Sequence, residues 1–118
     1  MKDIPIIHSD ADLLVVNKPA GLAVQGGAGI TVTVLDILAR QTGESVYPVH
    51  RLDRDTAGLL LVARSSEAAA RCARLMAEGD LVKRYRAVTF GSFPAARGRI
   101  DAPVGRADLG RGGLDLAQ

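Results

Sequence analysis

Leu59-Leu60-Leu61-Val62-Ala63 is a continuous apolar run that follows directly on a block of charge, His50-Arg51-Leu52-Asp53-Arg54-Asp55. The run is too short and too uniformly apolar for a surface helix, so it reads as a central strand. A chain built around such a strand must form a sheet and needs further strands and helices to cover it. Asp12-Leu13-Leu14-Val15-Val16-Asn17 supplies a second buried strand candidate, and Lys18-Pro19-Ala20-Gly21 a turn. Thr31 or Thr33 caps a helix carrying Val34, Leu35, Ile37 and Leu38, with Gly43 just past its end. Ser65 or Ser66 caps a second helix, ended by Gly79, whose apolar stripe is Ala69, Cys72, Ala73 and Met76. The stretch 82–90 alternates, with Lys83, Tyr85, Ala87 and Thr89 on one face and Val82, Arg84, Arg86, Val88 and Phe90 on the other. These elements predict an α/β domain of the α+β type: a mixed, mostly antiparallel sheet with two helices. Past Gly91 periodicity fades, and 107–118 reads as a loop or tail.

A length of 118 residues, 47% of them hydrophobic, suits one small packed domain. Aromatic residues are only 3%, with no Trp, so the core is aliphatic and stacking on a planar ligand falls to very few side chains. The single cysteine, Cys72, excludes an internal disulfide framework and suits a reducing compartment. No apolar run reaches membrane-spanning length and the start has no secretory pattern, so the expectation is a cytoplasmic, soluble domain. His8, His50 and Cys72 have no metal-ligand spacing, and Gly26–Gly29 lacks the Gly-Lys-Ser/Thr ending of a phosphate loop.

Charge is unevenly placed. Residues 1–50 hold three basic and five acidic side chains; residues 51–118 hold twelve basic, eleven of them arginine, and eight acidic. Arginine's planar fork suits phosphates and base edges, which admits a nucleic-acid partner. Within 50–58, Asp53 stands between Arg51 and Arg54, cations that favour an ionised carboxylate able to act as nucleophile or base. Taken alone, the stretch is more simply an Arg–Asp network that caps a loop. Asp53 and Asp55 also admit a glycosidase-type carboxylate pair, though no other feature suggests a sugar cleft. Tyr85 is by default a packing tyrosine, but Lys83, Arg84 and Arg86 around it suit a stacked base with phosphates held nearby.

His50-Arg51-Leu52-Asp53-Arg54-Asp55-Thr56-Ala57-Gly58-Leu59-Leu60 resembles the signature of the RluA-type pseudouridine synthases. Asn17-Lys18-Pro19-Ala20-Gly21 resembles the family's Lys-Pro-x-Gly turn, Lys83-Arg84-Tyr85 its Lys-x-Tyr strand, and 98–106 the loop that follows. The resemblance implies an enzyme that isomerises uridine to pseudouridine in ribosomal or transfer RNA, with neither cofactor nor metal. It implies Asp53 as the nucleophile, Arg51 as its support and Tyr85 as the ring that stacks on the target base. His50, Arg54, Lys83, Arg84, Arg86 and Lys18 are the expected RNA contacts. The match spans about residues 4–106, which makes 1–106 the amino-terminal part of a catalytic domain. The family's second half-sheet, with its Thr-Gly-Arg-Thr-His-Gln-type motif, and its small basic RNA-binding module are not found in the sequence. The expectations are then a fragment of a larger protein, self-association through an unpaired sheet edge, or an RNA-binding remnant without catalysis. A hydrolase using Asp53 and Asp55 is the more distant alternative.

Overall fold

The computed structural model describes residues 2–27, 29 and 32–103. The chain divides into two compact units, Met1–Arg84 and Tyr85–Gln118. The first holds every described element: β1 (Ile6–Ser9), β2 (Leu13–Lys18), α1 (Val34–Thr42), β3 (Tyr47–Pro48), β4 (Gly58–Ala63) and α2 (Ser66–Ala77). The strands form one sheet in the order β1-β2-β4-β3, and all three pairings are antiparallel. Two helices and a mostly antiparallel sheet are as the sequence predicts; β1 and the two-residue β3 are additional to it.

β2 and β4 form the longest ladder, from Leu13 opposite Ala63 to Lys18 opposite Gly58. Side chains alternate across a strand, so Leu14, Val16 and Lys18 share a face with Leu60 and Val62, and all five are buried. α1 covers that face with Val34, Ile37 and Leu38; Ile4, Val24 and Leu52 complete the cluster. Burying each such aliphatic side chain contributes about 1.5–3 kcal/mol. The other face is thinner, half-covered at Val15 and Leu61 and open at Leu59, which is 63% exposed. β4 is thus central in the sheet, fully buried on one side and on the other buried only at its Ala63 end.

Local signals fix the helices. Thr33 caps α1 with a reciprocal capping box: its Oγ1 accepts the Asp36 N–H at 3.2 Å, and Asp36 Oδ2 accepts the Thr33 N–H at 3.0 Å. Thr31, the other cap candidate, lies outside the described residues. Gly43 ends the helix at φ 76°, a conformation that glycine adopts without steric cost. Ser65 caps α2 through the Ala68 N–H at 3.1 Å. Gly79 closes it, with Gly79 N–H donating to the Met76 carbonyl and Asp80 N–H to that of Leu75. α2 buries Ala68 and Cys72, half-buries Ala69 and Met76 and leaves Ala73 exposed, so the expected stripe holds except that Ala68 takes the place of Ala73.

The β1–β2 turn is organised by Asp10, whose Oδ1 accepts the N–H groups of Asp12 and Leu13, both at 2.8 Å. Those bonds, led by Asp12 and joined by His8, lower the Asp10 pKa to about 2. Among the described residues no helix is long and apolar enough to cross a membrane.

Residues 82–90 form no strand. Alternation supplies two faces but no partner, and a strand exists only where another backbone takes its N–H and C=O groups. Every residue from 82 to 90 is exposed, Val88 and Phe90 completely. The expected tail, 107–118, and the last three residues of the expected loop 98–106 lie outside the described residues.

Candidate active site

The connection between β3 and β4 carries the charged block, and four anchors hold it. Leu52, 8% exposed, inserts into the aliphatic core between the exposed side chains of Arg51 and Asp53. The Thr56 N–H donates to the Asp53 carbonyl at 3.0 Å and closes a turn. The Arg54 carbonyl accepts two bonds from the Lys18-Pro19-Ala20-Gly21 turn, both 2.8 Å: one from Lys18 Nζ and one from the Gly21 N–H. His50 Nε2 accepts the Leu61 N–H of β4 at 3.1 Å. Gly58 ends the loop at φ 137°, which favours glycine at the first position of β4.

Two motifs distant in sequence, 17–21 and 50–58, are therefore sewn together at one carbonyl oxygen. The backbone is pinned from below, while the Asp53, Arg51 and Arg54 side chains face solvent. Among the described residues no ion pair joins Asp53 to either arginine. The pair in this loop is Arg54 Nε with Asp55 Oδ1 at 3.5 Å. Of the Arg–Asp network expected in this loop, the ion pair present is thus the one between Arg54 and Asp55.

Lys18 is the second correction. Expected among the RNA contacts, it is fully buried, with its ammonium donating to the Pro19 and Arg54 carbonyls at 2.8 Å each. Burial pushes its pKa down, while Asp55 and then Asp53 push it back up. Lys18 is thus the buried cation that lies beneath the two carboxylates. Its place was legible in the period of β2, since counting in twos from Leu14 and Val16 reaches Lys18 on the core face. The anchoring role of Leu52 had the same kind of signal: one aliphatic residue within five polar ones.

His50, also expected on RNA, is half-buried. Burial, followed by the nearby Lys83 ammonium, lowers its pKa, and the polar Arg51 backbone opposes. Lys83 and Arg84 are exposed at the end of the first unit. Tyr85, 61% exposed, and Arg86 open the second. Among the described residues no group of three His, Cys, Asp or Glu side chains is arranged to hold a metal ion.

The model of the RNA pseudouridylate synthase family matches residues 12–112. The chain belongs to this family. It is 39% identical to the ribosomal large subunit pseudouridine synthase D of Zymomonas mobilis, over 93% of this chain and 38% of that protein. It is 36% identical to the mitochondrial RNA pseudouridine synthase 4 of Arabidopsis thaliana, over 84% of this chain and 24% of that one. The structure of human RNA pseudouridylate synthase domain containing 4 superposes with a TM-score of 0.54 at 32% identity, covering 64% of this chain and 30% of that one. The likeness to RluA-type synthases drawn from the motifs is thereby shown. The chain spans between about a quarter and two-fifths of the length of these curated relatives.

Proposed function

We propose that this pseudouridine synthase family chain carries the Asp53 side of a centre that isomerises uridine to pseudouridine in RNA. The observation that carries the reading is an exposed carboxylate on a loop whose backbone is anchored by Leu52, His50, Lys18 and Gly21, with exposed Arg51 and Arg54 beside it. A nucleophile needs such fixed geometry, since a displacement of about 1 Å costs on the order of 100-fold in rate. Relatives named as ribosomal large subunit pseudouridine synthases support ribosomal RNA as the substrate class.

In this reading a uridine leaves the RNA stack at a cost of a few kcal/mol, offset by contacts of Arg51, Arg54, Lys83, Arg84 and Arg86 with phosphates. Tyr85 stacks on the base. The Asp53 carboxylate assists cleavage of the bond from uracil nitrogen to ribose; the detached base turns and rejoins through carbon, so no atom is gained or lost. Lys18 acts from beneath, holding the Arg54 carbonyl and, through it, the loop.

The test is pseudouridine mapping in ribosomal RNA incubated with the chain and with Asp53→Asn. The expected outcome is loss of more than about 1000-fold in turnover for the variant, with RNA affinity kept within about twofold. Turnover by Asp53→Asn equal to the parent removes Asp53 from the reaction. RNA binding with steep salt dependence, and no pseudouridine from the parent chain, assigns it to RNA binding without catalysis.

A further inference from the structure

The β3–β4 ladder is short. Tyr47 pairs with Ala63 and Pro48 with Val62; continued register would set Val49 opposite Leu61. No strand backbone takes the Leu61 N–H there. The His50 imidazole does, with Nε2 at 3.1 Å. We infer that His50 is a positioning residue: its Nε2 substitutes for the missing edge-strand carbonyl at Leu61 and fixes the root of the loop that presents Arg51 and Asp53.

Three features support this assignment over an RNA contact. First, a nitrogen that accepts an N–H carries no proton, so the neutral ring holds its proton on Nδ1. Second, Nδ1 is itself buried, with the Arg51 backbone as the polar group beside the ring, so neither nitrogen is presented to a ligand. Third, the ring sits one residue before Arg51 and three before Asp53, where a hold on the sheet limits how far both can move. Protonation would set an Nε2 donor against the Leu61 donor. Of the titratable groups, the Lys83 ammonium is the one whose charge acts on the ring, and it too disfavours a second cation. The tie is therefore present in neutral solution and fails as the ring is forced to charge in acid.

The catalytic consequence rests on the proposed isomerisation, but the tie itself is measured without it. The chain contains two histidines, so His8→Asn leaves His50 as the sole imidazole for long-range nitrogen–proton spectra. Expected are an unprotonated Nε2, a protonated Nδ1, and a ring still neutral at a pH that half-protonates a blocked histidine peptide. A ring protonated on Nε2, or one that titrates together with the peptide, overturns the inference.

Hydrogen exchange at the Leu61 amide supplies the second measurement. His50→Leu should speed it at least about tenfold, and His50→Gln, whose amide oxygen can accept the same bond, should restore most of the protection. Equal loss in both variants assigns the ring to packing alone; no change in either removes the bond. Where the chain turns over, kcat should follow the same order with KM for RNA spared. A rise in KM at constant kcat makes His50 an RNA contact after all. If Asp53→Asn shows no catalytic role, the spectra and the exchange rates still decide for or against the tie.

Discussion

Residues 50–58 and 82–90 are similar on paper: each is a short charged stretch with apolar residues interspersed, and each resembles a family motif. In the structure they differ in one respect. The first sends Leu52 into the core and receives hydrogen bonds from Lys18 and Gly21, with a further tie from His50 to β4. The second sends nothing inward and pairs with nothing among the described residues; even Val82, Val88 and Phe90 are exposed. Polar pattern decides which side chains are displayed, whereas order requires a buried partner for either the side chain or the backbone.

The comparison breaks most readily at Leu52. Leu52→Ala should cost roughly 2–5 kcal/mol, measured by urea denaturation; a loss below about 0.5 kcal/mol would show the loop to be held without it. Lys18→Met keeps the volume but strips two part-buried carbonyls of a donor, one of which retains Gly21. A buried group left unpaired costs about 1–3 kcal/mol; with both carbonyls only part-buried, a loss near the lower end, about 1 kcal/mol, is expected, and the salt dependence of RNA binding should not move. A lowered salt slope would return Lys18 to the RNA face.

Acid sharpens the contrast from the β1–β2 side. The Asp10 pKa is depressed to about 2 in the folded chain, so its contribution is complete above the ordinary carboxylate value near 3.8. It is lost as pH falls from there toward 2. Asp10→Asn should flatten that part of the stability profile, and an unchanged profile would assign the acid loss to other carboxylates. Phe90→Ser should alter stability by less than about 0.5 kcal/mol, although phenylalanine is ordinarily a core residue. A larger loss would show that 82–90 is packed after all.

Much of the fold was legible because its signals are local. The Thr33 capping box, the Ser65 cap, Gly43 and Gly79 mark helix ends, and the apolar runs mark β2 and β4. β3 was not legible, since a two-residue strand containing Pro48 lacks both length and a full set of donors. The alternation of 82–90 misled because period two describes faces and not neighbours. In the site, the sequence marked Asp53 by the charge around it, and the structure leaves its side chain exposed, but its neighbours were assigned by adjacency. The turn gave Arg54 to Asp55 instead, and the period of β2 placed Lys18 underneath.

The Arg54 carbonyl has a further consequence. A peptide oxygen has two lone pairs, and here Lys18 Nζ and the Gly21 amide engage both. A crankshaft rotation of the Arg54–Asp55 amide plane would break the two bonds at once, so that route of relaxation is closed. A pull on the Arg54 main chain would then reach Lys18 and, through it, the main ladder.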